Sequence, residues 1–458
     1  MSRRRIVAAV GAAALAVLMG TAPSASSQES ATTAIPAAAA VEICEELWAG
    51  TFEAPSSEPL AECQWNMALI GADDETRAAE AGAGVRVGII DSGIDLEHPD
   101  IAPNLDVDAS CSFIASDDPA ILGGLAPASE AGNGDCTNKA AVDDINGHGT
   151  HVASIVASPV NGLGVAGVAP EATVVALKAC TENGFCFAYA VVDALRAAGD
   201  LGLDVVNLSL FADPYLYYCG NDAEQRAIAK QITAAARYAQ QRGVLIVTSN
   251  GNEQDDLQHP TEDHISPDFP LDTAIERAVG NQCRVLPAEL PGAVTVSATG
   301  PIGYPGYTMN IAEYSSVGST EVAAPGGDYF SATDTVQDAI LAATPMDGAI
   351  WAQLDPLNAV FPGITVVDQG AGFVYLNGTS MAAPHATGVA ALIVGQHPGW
   401  GPSAVRAALM RGATPLACPV DWEPLSPDDE RLRCYGGSDG WTSFFGHGLV
   451  NARSAAGL

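Results

Sequence analysis

Three short stretches of the chain carry residue types that together can break an acyl bond. Ser380 follows Gly378 and Thr379 and stands directly before an apolar run of helical length, which places its hydroxyl at a helix N-terminus. Unpaired backbone N–H groups and the positive end of the helix dipole favour negative charge on a nearby oxygen there. A plain helix cap has the same local signature. GHGTH at 147–151 supplies two candidate bases, His148 and His151, and VGIIDSGID at 87–95 ends an apolar strand on Asp91. A serine hydroxyl is a weak nucleophile that needs a base within hydrogen-bond reach, and a carboxylate on the far ring nitrogen fixes the tautomer the base requires. Each element has a plainer reading. Asp91 before Ser92 and Gly93 is also a turn residue, and two histidines three apart could bind metal, although no third ligand lies near them in sequence.

The stretches around these residues supply a frame for them. Short β-branched runs at 85–91, 174–178, 205–210, 244–249 and 294–298 alternate with helical patterns at 150–157, 187–198, 222–242, 380–396 and 403–411. That alternation predicts an α/β fold, a doubly wound and mainly parallel sheet with helices on both faces. In such sheets the ligand crevice lies at the carboxyl ends of the strands, where Asp91, Ser209 and Asn252 fall. Segments 108–142, 212–222, 252–283 and 327–372 read as insertions, and the last leads directly into Ser380.

IIDSGID, NGHGTHVA and NGTSMAAPH, in this order, resemble the motifs of the subtilisin-like serine proteases, and Asp, His, Ser is the subtilisin order of such triads. The resemblance runs from about 63 to 458 and closes on GHGLVNARSA at 446–455, similar to the family's GxGxVNA ending. It implies that Asp91 orients, His148 rather than His151 shuttles the proton, and Ser380 attacks. SNGNEQ at 249–254 resembles the family's AGNE turn, which makes Asn252, not Asn250, the side-chain oxyanion donor beside the Ser380 N–H; Asn250 departs from the small residue usual before this glycine. Substrate is expected to lie extended on a sheet edge, with VVNLSLF at 205–211 lining the first specificity pocket and Ser209, Leu210, Phe211, Ser249 and Gly251 as its contacts. Phe211 stands where Gly is common and Ser249 where Ala is, so the pocket is expected to be narrowed or closed. SPVNGLGVAGVAP at 158–170 resembles a family loop that wraps a structural calcium, here through Asn161 and Asp100; a metal-free glycine turn is the alternative. The chemistry itself requires no cofactor.

Composition bounds the partners. The 458 residues hold 19 basic and 54 acidic side chains, a formal charge of −35, which argues against nucleic acid or an anionic membrane and reads as a solvated acidic surface; the protein or peptide substrate is what the resemblance implies. Residues 1–28 read as a secretory signal, with Arg3, Arg4 and Arg5 before an apolar run and small residues; no later run is long enough to cross a membrane, so the mature protein is expected to be soluble and extracellular. Ten cysteines in an exported chain read as disulfides, with neighbours pairing: 44 with 63, 111 with 136, 180 with 186, 219 with 283, 418 with 434. Residues 29–62 form a short N-terminal extension that looks poorly ordered to about 58, too short for a foldable prodomain and tied by Cys44 to the domain at 63–458. The expected function is a secreted serine endopeptidase working through an acyl-enzyme. The alternatives are a narrow processing protease and a silent, protein-binding member; a related group that uses Glu and Asp in place of His and Asp lacks the GHGTH histidine.

Overall fold

The computed structural model describes residues 32–301, 310–419, 432–437 and 440–458; the expected signal segment lies outside the described residues. Seven strands, β1 (Arg86–Asp91), β2 (Cys111–Ser112), β3 (Thr173–Lys178), β4 (Val205–Leu208), β5 (Leu245–Ser249), β6 (Val294–Thr299) and β7 (Val322–Pro325), form one sheet in the order β7-β6-β5-β4-β1-β3-β2. Every pairing is parallel. The strands are buried on both faces, which is why they read as nearly continuous apolar runs. Successive side chains still part to opposite sides. Ile89, Val174, Val205 and Val247 enter one core, and Ile90, Val175, Val206 and Ile246 enter the other.

Helices cover both faces. A first helix, α1 (Ala37–Leu47), belongs to the N-terminal extension; α2 (His148–Ala157) and α5 (Thr379–Gln396) pack on one side of the sheet, α3 (Ala188–Asp200) and α4 (Ala223–Gln241) on the other, and α6 (Pro402–Gly412) lies against α5. Helix α5 is apolar around its whole circumference and buried from Thr379 to Ile393, as a helix enclosed by sheet and helices must be.

The segment 327–372 is ordered. It contributes β8 (Ile340–Ala343) and β9 (Thr365–Asp368), which with β10 (Ala371–Leu376) form a second sheet whose last member is the two-residue strand Ile35–Pro36. Strand β10 runs into α5 and so delivers Ser380 from a paired, buried strand. The N-terminal extension corrects the expectation of poor order. Its AAAAVEICEEL run is α1, because alanine is the strongest helix former and the helix buries Ala40 and Cys44. Thr33 N donates to Asp355 at 2.9 Å, Ile35 pairs with Val366, and the Trp48 ring packs tilted against Trp65 with centroids 6.2 Å apart. All five neighbour disulfides are formed, and Cys44–Cys63 ties this strap to the domain.

Candidate active site

Asp91 is the last residue of β1, and His148 is the first of α2. Two glycines allow them to meet. Gly147 holds φ 109° at the helix cap, and a Cβ at Gly149 would stand 2.1 Å from the Gly93 carbonyl and 3.2 Å from the Asp91 Cβ. His148 Nδ1 donates to Asp91 Oδ1 at 2.8 Å, and both side chains are buried. Asp91 Oδ1 also accepts from the Ser92 N–H at 2.7 Å. Burial pulls the His148 pKa down, but the charge and hydrogen bond of Asp91, with Asp144 behind it, outweigh burial and leave it raised. His151 has no such neighbour. It is fully buried, its Nε2 lies 3.1 Å from the carbonyls of Ile340 and Val374, and burial lowers its pKa to about 3. His151 therefore joins α2 to the second sheet.

Ser380 sits in the first turn of α5, with no carbonyl behind its N–H within the helix. Its hydroxyl donates to the Ser209 carbonyl at 3.2 Å, and Ser209 Oγ donates back to the Ser380 carbonyl at 2.9 Å. His148 Nε2 is buried without a partner, so both members of the expected proton-transfer pair face one cleft without touching each other. Asn252 Oδ1 accepts from Thr379 N at 2.9 Å and from Thr379 Oγ1 at 2.8 Å. An amide N–H of the helix can bond only to the oxygen end of that side chain, which leaves the Asn252 NH₂ as the end available to the cleft. Asn250 instead points into the interior and donates to Ser316 O at 3.2 Å and Thr320 Oγ1 at 2.7 Å.

The cleft has a volume of about 440 Å³ and is lined by Asp91, His148, Ser380 and Asn252 together with Ser209, Leu210, Phe211, Ser249 and Gly251. Phe211 forms part of the wall but does not close it. One expectation needs correction: β4 is paired on both sides, with β1 and β5, so the 205–208 part of VVNLSLF is interior and only 209–211, beyond the ladder, could pair with a peptide. A hollow of about 540 Å³ elsewhere is lined by Arg226, Lys230, Arg237 and Arg284 and contains none of these groups.

Asp100 and Asn161 lie together outside the cleft. Asp100 is fully buried, Oδ2 accepts from Val165 N at 3.3 Å, and Oδ1 has no partner. Burial raises its pKa to about 9. Glu58, also buried, accepts from Gly162 N at 3.1 Å through Oε1 and leaves Oε2 unpartnered. Two orphaned carboxylate oxygens beside one loop are a donor set that fits a hard cation. Asn161 turns its oxygen to Leu163 N at 3.0 Å, and among the described residues no three His, Cys, Asp or Glu side chains gather as ligands, so carbonyls would complete the shell.

Sequence reasoning passed over Asp144, Asn146 and the far walls of the cleft. Asp144 Oδ1 accepts from Ser92 Oγ at 2.9 Å and Gly147 N at 2.8 Å, while Oδ2 accepts from Thr150 N at 2.9 Å, so one carboxylate caps α2 and fixes the turn after Asp91. An acidic residue four before His148 was the available signal. Phe185, Asp213, Glu253 and Asp268 reach the cleft from loops whose lengths carry no pattern.

A sequence model of the subtilase family matches residues 82–448. Subtilisin DY of Bacillus licheniformis is 28% identical over 393 residues, 86% of this chain and 98% of that protein. A lanthipeptide protease of known structure superimposes with a TM-score of 0.60 at 24% identity, over 86% of this chain and 93% of the other. The epidermin leader peptide processing serine protease of Staphylococcus aureus superimposes with a TM-score of 0.60 at 20% identity, over 89% of this chain and 83% of its own. With its parallel sheet and the three motifs meeting at one cleft, the chain belongs to the subtilase family and is a subtilisin-like serine protease.

Proposed function

We propose that the protein is an exported endopeptidase in which Ser380 forms the acyl-enzyme, His148 moves the proton and Asp91 orients it. The observation that carries this reading is the 2.8 Å Asp91–His148 bond with the other imidazole nitrogen left bare toward the cleft that holds Ser380. Rotation of the Ser380 side chain between staggered positions exchanges the Ser209 carbonyl for His148 Nε2. Attack on a peptide carbonyl then transfers the hydroxyl proton to Nε2, and the imidazolium so formed is held by Asp91. The Asn252 NH₂ and the Ser380 N–H receive the oxyanion. His148 returns the proton to the leaving amine, and water repeats the sequence to release the acid. The N-terminal arginines and apolar run support export, and Asp100 and Glu58, with carbonyls of the Asn161 loop, would hold a structural calcium. Walls drawn from several insertions favour a selective processing enzyme over a general one.

The test is fluorophosphonate labelling of purified, disulfide-bonded protein with peptide mapping. Adduct on Ser380 that disappears in Ser380→Ala and His148→Ala is the expected result. A wild-type protein that takes no label would replace this reading with that of a silent, protein-binding member.

A further inference from the structure

The cleft extends past Ser380 into an arm walled by the loops after β4 and β5, and its charge is one-sided. Asp213, Glu253, Asp268 and Asp272 line this part of the cleft; among the described residues no lysine or arginine lines the cleft, and its nitrogen bases are His148 and His264. Asp213 is fixed in place: its carboxylate accepts from the Cys186 N–H and its backbone pairs with Cys186 and Ala188, next to the Cys180–Cys186 disulfide. Asp268 is anchored through its own N–H to the Pro214 carbonyl at 3.1 Å. The Asp213 and Asp268 side chains come within hydrogen-bonding range of each other, and Asp268 Oδ1 is buried without a partner. Burial, and for Asp213 also the facing Asp268, pushes both carboxyls up.

Buried carboxyls without a counter-ion are costly; Glu130 meets that cost with Lys178 at 2.8 Å, whereas no lysine or arginine among the described residues lines the cleft beside Asp213 and Asp268. Within the cleft the missing cation has to come from what enters it. The nucleophile in the same cavity identifies the visitor as a peptide. We propose that this arm takes a basic side chain, that of the residue whose carbonyl Ser380 attacks, with Asp213 and Asp268 as the specificity-determining residues. Arginine is favoured over lysine, because two adjacent carboxyls match the guanidinium fork and the aromatic walls Phe185 and Phe211 suit its flat face. The inference rests on the serine-peptidase reading above.

The experiment compares kcat/KM of the wild-type protein on peptides that differ only at that residue: arginine, lysine, its neutral isostere citrulline, and leucine. Charge-assisted hydrogen bonds of this kind correspond to roughly 10- to 100-fold, so arginine should exceed citrulline by about that factor. Asp213→Asn and Asp268→Asn should each bring the ratio toward one, with a thermal melt showing that the variant is folded. Where a variant does not fold, competition by benzamidine against the leucine peptide in the wild type stands in; competitive inhibition supports the proposal and its absence overturns it. Label on Ser380 with arginine and citrulline within about threefold of each other would overturn this specificity while leaving the peptidase reading intact. A wild-type protein that takes no label overturns both.

Discussion

His148 is set by two opposing effects, and their balance decides the pH at which the site can work. Burial disfavours the imidazolium, yet the Asp91 carboxylate at 2.8 Å, with Asp144 beyond it, favours it more strongly, so the pKa lies above the ordinary 6.5. A general base must be neutral, so kcat/KM should rise with pH through a midpoint above 6.5. Asp91→Asn removes the charge that raises the midpoint and permits the wrong tautomer. The expected outcome is a midpoint moved to lower pH together with a loss of roughly 10⁴ in kcat. A pH–rate profile of both proteins checks this, and an unmoved midpoint would show that Asp91 does not face the working imidazole. The residue scale was also the most legible in the sequence. Asp91, His148 and Ser380 stand in dense local motifs, because the backbone around each must make a specific turn and glycines record those turns. Phe211 shows the limit. Its identity announced a departure, but whether an aromatic ring closes a pocket depends on the room that distant loops leave, and here they leave the cleft open.

At the scale of elements, the strap formed by α1 and the strand Ile35–Pro36 depends on one covalent tie. It buries Cys44 and Trp48 and pairs two residues with β9, but its loop closes only 19 residues through Cys44–Cys63. Replacing both cysteines with serine leaves the strands of the main sheet untouched while freeing the unfolded chain. A loss of about 2 to 4 kcal/mol is expected, read as a lower urea midpoint, with earlier proteolysis within residues 32–60. An unchanged midpoint would mean that packing alone holds the strap. Why this element escaped the sequence reading is physical: its run of alanines is both the composition of a disordered tail and the strongest helix former, and the difference lies in whether Trp65 and β9 are there to receive it. The core strands had no such ambiguity, since β-branched runs of five or six residues between turns fit little else. The short strands β2 and β8 depend on partners remote in sequence, and so they left no local pattern.

The whole molecule carries −35 charges, and a compact body of that charge repels itself. Against this background Asp100 is a sensitive point, because its buried carboxyl has Glu58 as neighbour and lacks a basic partner among the groups that shift it. Its folded pKa, about 9, lies above the unfolded 3.8. Between those values the folded chain binds the extra proton, so without a cation this group contributes stability at low pH that is lost as pH rises through about 4 to 9. Calcium on Asp100 and Glu58 reverses the sign, because the ion favours the ionised carboxylate. Melting temperatures measured across that window should therefore fall with pH in a chelator and be held up by millimolar calcium, with the gap widest on the alkaline side. Sodium chloride at matched ionic strength separates site binding from general screening, since screening is common to both salts. Asp100→Asn supplies the decisive comparison. It removes the carboxylate without changing its size, so it should reduce the pH dependence, most of all on the alkaline side, and abolish the calcium increment together. A variant that kept the full increment would place the ion elsewhere in the fold.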